Sequence, residues 1–598
     1  MAIDAKEKNF EEDIEAWLTS PEGGYLKGDD QGYQANPGAG VDIDQLVSYI
    51  VKTQEKIWKQ FVKRCGEMDP KKEFLHVFRN AVSTFGMLQV LKRGFKHRGL
   101  KFKVVSFKPE SHLNETDRLA YEANQLRCIR QFHYSAIDTR NTVDIVLDIN
   151  GIPVVALELK DEFTGQTTDN ARIQWMKDRN SREEIFRFNS RILAFFAVDL
   201  SEVYMTTKLN GMDTVFLPFN QGSNGAGRDG DVGNPPNPYG YQTSYLWEKV
   251  LQADSLLDII NRYMNLEEKE TKEVDSDGIE HTHIVKRLIF PRYHQLDCVR
   301  KIIADVRENG AGKSYLIQHS AGSGKSNSIA WTAYRLSTMS DEHDHPVFDG
   351  VVVVTDRKIL DRQLQSTISG FGHAIGQIEV IDGNKTSQDL FQALKDGRRL
   401  IISTLQKYSV IYNQLSQHEF ARGKRFCIII DEAHSSQTGS HAAHLKQALA
   451  DPDDVLEEYA QYEEQCEEDN EEILDGLLQS MFGHGHASNL TFVAFTATPK
   501  EKTLELFGVK QPDGSYRPFH VYSMRQAINE GFILDPLANY MTYSEALKIA
   551  SRVPENPECP TSPTLKLLRR YTHLHPYALA QKAQIIVETY RNTTRHKI

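Results

Sequence analysis

The stretch YLIQHSAGSGKS, Tyr315–Ser326, joins a short apolar run to a glycine-rich turn and then to a helical pattern. Such a turn between strand and helix exposes backbone N–H groups to phosphate oxygens, and the helix N-terminus adds favourable partial charge. Lys325 can reach the β- and γ-phosphates, and Ser326 can bind Mg²⁺. His319 stands where the phosphate-loop pattern has its first glycine, so a glycine-rich turn with a chance Lys-Ser pair is the alternative.

Short β-branched runs alternate with helical patterns on the C-terminal side of this loop. They include VVVVTD, RLIISTL, RFCIIIDEA and LTFVAFTATP. Nearly continuous apolar strands that alternate with helices are typical of a parallel sheet covered on both faces. The sequence therefore predicts an α/β nucleotide-binding domain here.

Polar residues follow two of these runs. Parallel sheets place their ligands at the carboxyl ends of the strands. Asp431 and Glu432 end the strand of IIIDEAH. Asp431 can hold Mg²⁺ together with Ser326, and Glu432 can orient or deprotonate the attacking water. Thr496 and Thr498 of FTATP could sense the γ-phosphate or bridge to Asp431.

A second candidate site lies in VDIVLDINGIPVVALELKDE, Val143–Glu162, which predicts two strands around a tight turn. Asp144, Glu158 and Lys160 fit the D…(D/E)-x-K pattern of metal-dependent nucleases. Carboxylates would hold one or two Mg²⁺ ions against the scissile phosphate, and the lysine would position or help deprotonate the water. Glu158 and Lys160 are two residues apart on a strand and therefore share a face. Acids and lysines that merely flank a strand are the alternative.

The turn decides whether Asp144 joins that face. A two-residue Asn150-Gly151 loop in a regular hairpin would put Asp144 on the opposite side from Glu158. We therefore expect a three-residue loop, Ile149–Gly151, with Gly151 left-handed. Asp144 would then lie diagonal to Glu158, within reach of a shared metal.

The totals limit the class of protein. The 598 residues predict two to four domains, and 40% hydrophobic with 25% charged residues is ordinary for a soluble protein. The six cysteines are scattered without a CxxC pair, which excludes a recognisable zinc site and a disulfide scaffold. We find neither a signal core nor a membrane-length apolar run, so we predict a cytoplasmic protein with no membrane partner. The net charge of -12 argues only weakly against nucleic acid, because it can hide a basic groove.

The order of the motifs HSAGSGKS, TDRKILDRQL, ISTLQK, DEAH and FTATP resembles that of superfamily-two helicases and DNA translocases. The resemblance covers residues 288–535 and implies a RecA-like motor domain that hydrolyses ATP. It also places Gln295 where these motors carry an adenine-reading glutamine. Such motors need a second RecA-like domain, for which residues 536–598 are too few. We therefore expect an N-terminal fragment with the second motor domain largely absent.

A D…ExK hairpin ahead of this motor resembles the R subunit of type I restriction endonucleases, as do VYMTTKLNG, YLWEKVLQADSLLDII and AINEGFILD. The resemblance implies an ATP-driven translocase and Mg²⁺-dependent endonuclease acting on double-stranded DNA with methylation and specificity subunits. Two alternatives stay open: a superfamily-two translocase with a non-cleaving nuclease-like domain, and an ATP-gated DNA-binding scaffold.

That family often adds a Q-x-x-x-Y motif after the nuclease strand. Here Gln174 is followed by Asp178 instead of Tyr, so a phosphate contact and a plain surface glutamine are about equally expected. A glutamate of the opening helix could also approach the metal, but we expect solvation on the helix surface for Glu11, Glu12 and Glu15.

The predicted fold is a multidomain α/β protein, with a nuclease domain at 1–260, a linker at 261–285, a RecA-like motor domain at 286–535 and either the start of a second motor domain or a connecting segment at 536–598. The predicted nuclease residues are Asp144, Glu158, Lys160 and Gln174. The predicted ATP and Mg²⁺ residues are Gln295, Ala321, Gly322, Ser323, Gly324, Lys325, Ser326, Asp431, Glu432, Thr496 and Thr498. Two further segments stay open: the basic stretch LKRGFKHRGLKFK, which could track DNA phosphates or be a solvated helix end, and the Gly/Asn-rich loop 220–241.

Overall fold

The computed structural model describes residues 4–36, 38–110, 114–135, 138, 140–162, 165–274, 280–355, 367–368, 378–381, 385–405, 407–409, 423–431 and 489–535. Residues 1–532 form one compact unit, and a second unit begins at Ile533. Glu432, the acidic stretch 451–475 and residues 536–598 lie outside the described residues. Among the described helices, none has the length and apolar character needed to cross a membrane.

The N-terminal part is built on a seven-stranded mixed sheet with the strand order β1-β4-β5-β6-β7-β8-β9. Strands β2 and β3 form a separate hairpin. The neighbours β1–β4 and β6–β7 are parallel, and the other neighbouring pairs are antiparallel. The strands are β1 (Leu26–Lys27), β2 (Phe95–His97), β3 (Leu100–Phe102), β4 (Leu126–His133), β5 (Thr142–Ile149), β6 (Ile152–Leu159), β7 (Ala194–Val198), β8 (Val203–Thr206) and β9 (Leu217–Pro218).

Helices cover the sheet because its central strands are apolar on both faces. Every residue of β6 is buried, including Glu158. Ala171 and Trp175 pack from one helix onto the face that Glu158 shares, and Leu157 and Leu159 belong to the core on the other face. The helices are α1 (Asp4–Leu18), α2 (Gln31–Gln34), α3 (Ile43–Thr53), α4 (Glu55–Cys65), α5 (Pro70–Phe85), α6 (Met87–Arg93), α7 (Glu115–Glu122), α8 (Thr168–Lys177) and α9 (Ala253–Asp258), with π-helical turns at Leu246–Val250 and Ile259–Tyr263.

The hairpin β5–β6 corrects the predicted turn. Ile149 pairs with Ile152, so the loop has two residues, Asn150 and Gly151, both with positive φ (53° and 81°). The three-residue loop was therefore wrong, because Asn150 accepts the left-handed conformation as well as Gly151. The ladder shifts by one residue between Leu147 and Asp148, where Leu147 pairs with Val155. This β-bulge inserts the one extra residue that the prediction had placed in the turn.

The predicted linker contributes to two paired strands. These are β10 (Asn265–Val274) and β11 (Glu280–Ile289), which run antiparallel over ten residue pairs. The two strands contain many charged and few apolar residues. Opposite charges can pair across them, as Glu268 does with Lys286 at 2.8 Å. The described residues between the two sheets therefore include a pair of antiparallel strands, and the role of residues 261–285 as a linker stays a prediction.

The C-terminal part holds a seven-stranded sheet in which every pairing is parallel, with the order β14-β15-β13-β16-β17-β12-β20. This confirms the predicted α/β architecture. Its strands are β12 (Ser314–His319), β13 (Gly350–Thr355), β14 (Ile378–Val380), β15 (Leu400–Thr404), β16 (Phe426–Ile430), β17 (Leu490–Thr496) and β20 (His520–Tyr522), with β18 (Val509–Lys510) and β19 (Tyr516–Arg517) as a small hairpin. The described helices are α10 (Tyr293–Asn309), α11 (Lys325–Thr338), α12 (Ser387–Lys395), α13 (Glu501–Phe507) and α14 (Met524–Asn529).

Candidate active site

The bulge in the β5–β6 hairpin brings Asp144 and Glu158 to one place. Beyond the bulge Ile145 pairs with Leu157, and the same register puts Asp144 directly opposite Glu158 instead of diagonal to it. The exposed fraction is 9% for Asp144 and 0% for Glu158. Asp144 Oδ2 accepts a hydrogen bond from the backbone N–H of Leu159 at 2.7 Å, which fixes the carboxylate against β6. The two carboxylates therefore share one face of the sheet, as the nuclease pattern requires.

Glu158 is held on one side by an arginine that sequence reasoning missed. Arg179 Nε donates to Glu158 Oε1 at 2.8 Å, and Nη2 donates to the same oxygen. Arg179 also donates to the hydroxyl of Tyr134 at 3.1 Å and to the carbonyl of Thr142 at 2.7 Å. Within the described part of the chain, the buried second oxygen, Oε2, has no hydrogen-bond partner. Glu158 thus presents one fixed and one unsatisfied oxygen.

Asp144 and Glu158 are two buried carboxylates that interact with each other. Burial, and after it the charge of Asp144, raise the pKa of Glu158 well above its usual 4.5, although Arg179 and Lys160 lower it. Burial and Asp144 also raise the pKa of Glu11. Both shifts mean that an added cation between these carboxylates would be favoured.

Glu11 corrects the expectation of a solvated helix surface. Helix α1 buries Glu11 and Glu15 to 6% exposure each. Gln131 Nε2 donates to Glu11 Oε1 at 2.9 Å and to Asp144 Oδ1 at 3.4 Å, so one amide bridges the two carboxylates. Glu15 lies further along the helix and pairs with Lys27 at 2.8 Å. The predicted solvation was wrong for Glu11 and Glu15 because α1 packs on β4 and β6.

The other two predicted nuclease residues differ in their placement. Lys160 is buried at the end of β6, and its backbone N–H donates to the carbonyl of Val198 at 2.9 Å. Gln174 lies half-buried on α8, one residue before Trp175. Its role near the cut DNA stays a prediction.

Little in the sequence pointed to Arg179 and Gln131. Arg179 closes the stretch NARIQWMKDR, and a basic residue after a helix is usually a C-terminal cap or solvated. Gln131 has a positive φ of 48° and interrupts the β4–β5 ladder opposite Asp144, which no side-chain pattern announces.

The predicted phosphate loop lies between β12 and α11, as expected. Gly322 and Gly324 have positive φ values of 71° and 77°, so the loop needs glycine at these two positions. Strand β17 lies between β12 and β16, and Thr496 pairs with Gln318 at the end of β12. Asp431 follows β16 and is buried, whereas Thr498 is exposed. The three strand ends therefore meet at one edge of the sheet.

Side chains at the N-terminus of α10 contact the carbonyl oxygens of the phosphate loop. Gln295 Nε2 donates to the carbonyls of Ser323 at 3.1 Å and Gly324 at 3.0 Å. Arg292 donates to the carbonyl of Gly322 at 3.0 Å, and His294 contacts the carbonyl of Ser323 at 3.0 Å. Gln295 thus braces the loop, and its reading of adenine stays a prediction.

The basic stretch around Lys92 is largely structural. Phe95 and Phe102 are buried in the core, so they are not available for stacking on bases. Lys92 Nζ donates to the carbonyl of Met264 at 2.5 Å, and burial lowers its pKa to about 7. A helix end that feeds a short hairpin describes this segment, and a DNA contact by its exposed lysines stays a prediction.

The fold and the two sites define a class of protein. A mixed α/β sheet carries a carboxylate–lysine pocket, and a parallel sheet with a phosphate loop follows it in the same compact unit. This is a nuclease-type domain joined to a RecA-like nucleotide-binding domain.

Comparison with known proteins confirms the resemblance to the type I restriction enzyme R subunit. Residues 26–214 match the type I restriction enzyme R protein N terminus, and residues 294–453 match the SWI2/SNF2 ATPase family. The endonuclease subunit of a type I restriction enzyme of Staphylococcus saprophyticus is 24% identical over 416 residues, which cover 69% of this chain and 36% of that protein. The endonuclease subunit of a Haemophilus influenzae type I enzyme is 27% identical over 331 residues, which cover 51% and 28%.

The chain therefore spans about a third of the length of these curated relatives. Among solved structures, a fragment of a putative HsdR subunit of a type I restriction enzyme from Vibrio vulnificus shares 16% identity with a TM-score of 0.25. That match covers 69% of this chain and 57% of the fragment.

Proposed function

We propose that this chain is the cutting and ATP-binding part of a type I restriction complex. It cleaves double-stranded DNA with Mg²⁺ at positions that it does not itself specify, and it couples ATP hydrolysis to translocation. Methylation and specificity subunits supply the recognition of sequence. The family matches support the class of enzyme, and the arrangement of side chains supports the chemistry.

One observation carries the nuclease assignment. The buried Oε2 of Glu158 has no hydrogen-bond partner among the described residues, and burial together with the charge of Asp144 raises the pKa of Glu158. A buried, unsatisfied carboxylate oxygen is destabilising unless something binds it. Mg²⁺ prefers carboxylate oxygens, so Asp144 and Glu158 fit this ion, and Glu11 is placed to join through the outer shell.

Each residue of the pocket then has a task. Mg²⁺, when bound, would polarise the scissile phosphate and its attacking water. Arg179 holds Glu158 Oε1 and leaves Oε2 without a hydrogen-bond partner among the described residues. Lys160, whose charge acts on Glu158, balances the charge on the phosphate and positions the attacking water. Gln131 keeps Glu11 and Asp144 apart at a fixed spacing.

The motor half of the proposal rests on the phosphate loop. The backbone of Ala321–Gly324 would bind the phosphates, Lys325 would reach the β- and γ-phosphates, and Ser326 and Asp431 would hold Mg²⁺. Thr496 lies beside this loop in the sheet and would respond to the γ-phosphate. Glu432 would orient the attacking water.

Cleavage of a covalently closed plasmid by the assembled restriction complex that contains this sequence tests the proposal. We expect cleavage only with both Mg²⁺ and ATP. Lys325→Ala removes the ammonium that reaches the nucleotide phosphates, and we expect it to abolish both ATP hydrolysis and cleavage. A Lys325→Ala complex that cuts as fast as the parent would contradict the coupling of the motor to the nuclease.

A further inference from the structure

The Gly/Asn-rich loop of the N-terminal domain lies on the edge strand of the motor sheet. We call residues 220–234 the glycine loop. The backbone N–H of Val521 in β20 donates to the carbonyl of Gly227 at 2.9 Å, and Ser523 Oγ donates to the carbonyl of Gly230 at 2.8 Å. Asp231 binds Arg525 at 2.8 Å. The glycine loop therefore covers the outer edge of β20, which would otherwise present unpaired backbone groups.

β20 connects this loop to the phosphate site through a histidine chain. His520 Nε2 lies 2.9 Å from Asp297 Oδ2, and His520 Nδ1 lies 2.9 Å from His319 Nε2. His319 ends β12 and begins the phosphate loop, where the usual pattern has glycine. Because Asp297 accepts the Nε2 proton of His520, Nδ1 of His520 accepts from His319. The backbone adds a second link, from Ser320 N to the carbonyl of Tyr522 at 3.0 Å.

Cys298 stands beside this pair, and its sulfur and one nitrogen of each imidazole lie within 4.8 Å of one another. A metal ion at this place would have to displace the hydrogen bond between His319 and His520. That bond and the bond to Asp297 already engage both nitrogens of His520. The hydrogen-bonded chain accounts for these residues without a metal.

Gly227 lies against His520, the middle residue of the histidine chain. It has a φ of +75°, and a Cβ built on it would lie 2.6 Å from Cδ2 of His520. His520 is fully buried and is held from two sides, so it cannot move away without stretching its bond to His319 or to Asp297. A side chain at Gly227 would therefore displace the histidine that supports the phosphate loop.

We propose that His520 is a positioning residue for the phosphate loop and that the glycine loop of the N-terminal domain fixes His520 in place. The nuclease domain then contributes to the affinity of the motor for ATP, through Gly227, His520 and His319 in turn. The proposal rests on the ATP-binding function proposed for the loop Ala321–Ser326.

The matched pair Gly227→Ala and Gly233→Ala tests the contact. Both glycines belong to the glycine loop and have positive φ, so alanine strains the backbone at both, but a Cβ at Gly233 meets nothing within 4 Å. Binding of the fluorescent analogue mant-ATP with Mg²⁺ to the full chain is the readout. We expect Gly227→Ala to weaken binding about fivefold, the size typical of one lost hydrogen bond, and Gly233→Ala to change it by less than about twofold.

His520→Ala gives a second, independent arm. It removes the ring that a Cβ at Gly227 would strike, so Gly227→Ala should add almost nothing in the His520→Ala background. This arm also gives a result if Gly227→Ala alone unfolds, because the double variant relieves the clash. Equal affinities for the two glycine variants, or an undiminished Gly227→Ala effect without His520, would overturn the proposal.

Lys325→Ala separates this proposal from the function on which it rests. If Lys325→Ala binds mant-ATP as tightly as the parent, the phosphate loop is not the nucleotide site, whatever the glycine variants do. If Lys325→Ala weakens binding while the two glycine variants are alike, the ATP site stands and the role of the glycine loop is refuted.

Discussion

Lys160→Ala should lower plasmid cleavage by about 10²- to 10⁴-fold, the range of a positioned proton-transfer group, while ATP hydrolysis is retained. Lys160 lies in the same pocket as Glu158 and lowers its pKa, so its ammonium sits where negative charge accumulates. The phosphate loop lies on the other sheet, so loss of Lys160 leaves the nucleotide site intact. Single-turnover cleavage and ATP hydrolysis measured on one preparation would show the separation.

Lys177→Ala is the matched control. Lys177 lies in the last turn of α8, two residues before Arg179, and its side chain is exposed. Its removal should leave cleavage unchanged. If Lys160→Ala cuts as well as Lys177→Ala, the carboxylate hairpin is structural, and the chain is better described as a translocase with a non-cleaving nuclease-like domain.

Arg179→Met should destabilise the N-terminal domain by about 3–5 kcal/mol near pH 8, because it leaves the buried Glu158 without the arginine that is hydrogen-bonded to it. Arg179 is 7% exposed, and its bonds to Glu158, Tyr134 and Thr142 join β6, the residue that follows β4, and β5. Methionine conserves much of the apolar stem, so the loss reports the charge and its hydrogen bonds. Urea unfolding of the parent and the variant measures the difference.

The difference should shrink as the pH falls. Arg179 lowers the pKa of Glu158, so its loss raises that already raised pKa further. A carboxyl group whose folded pKa is raised binds its proton more tightly in the folded state, so stability falls as the pH rises from its unfolded pKa to its folded one. The variant should therefore lose more than the parent between pH 5.5 and pH 8. Arg182→Met, an exposed arginine nearby, should behave like the parent at both pH values.

The hairpin shows how far sequence alone reaches. Alternation along β6 correctly placed Leu157 and Leu159 in the core on one face and Glu158 on the other, whereas the face of Lys160 stays a prediction. The alternation of side chains correctly required one extra residue between Asp144 and Glu158. The extra residue is in a β-bulge instead of in the turn. Both solutions satisfy the same pattern of side chains, so only the backbone could decide between them.

The sequence pattern could not predict the residues that surround Asp144 and Glu158, for a different reason. Glu11 and Arg179 lie 133 and 21 residues from their partners Asp144 and Glu158. An acidic residue on an amphipathic helix reads as solvated until the packing of that helix is known. Gln131 depends on a left-handed backbone in the middle of a strand, for which an alternating pattern gives no sign.

In the motor domain, the apolar runs and the order of the motifs indicated the same fold, so more of the structure could be predicted. The apolar runs became β12, β13, β15, β16 and β17, and the phosphate loop lies between strand and helix as expected. The docking of the glycine loop on β20 could not be read from either segment, because it joins residues almost 300 positions apart through backbone atoms. Composition announced an irregular loop and nothing about what it touches.

Asp144 and Glu158 should together bind a divalent metal ion. A crystal structure with Mn²⁺ and a non-hydrolysable ATP analogue tests it most directly, because the nucleotide site serves as an internal control for the anomalous signal. We predict an anomalous peak about 2.1 Å from carboxylate oxygens of Asp144 and Glu158. A peak at the phosphate loop together with none in the carboxylate pocket would contradict the account.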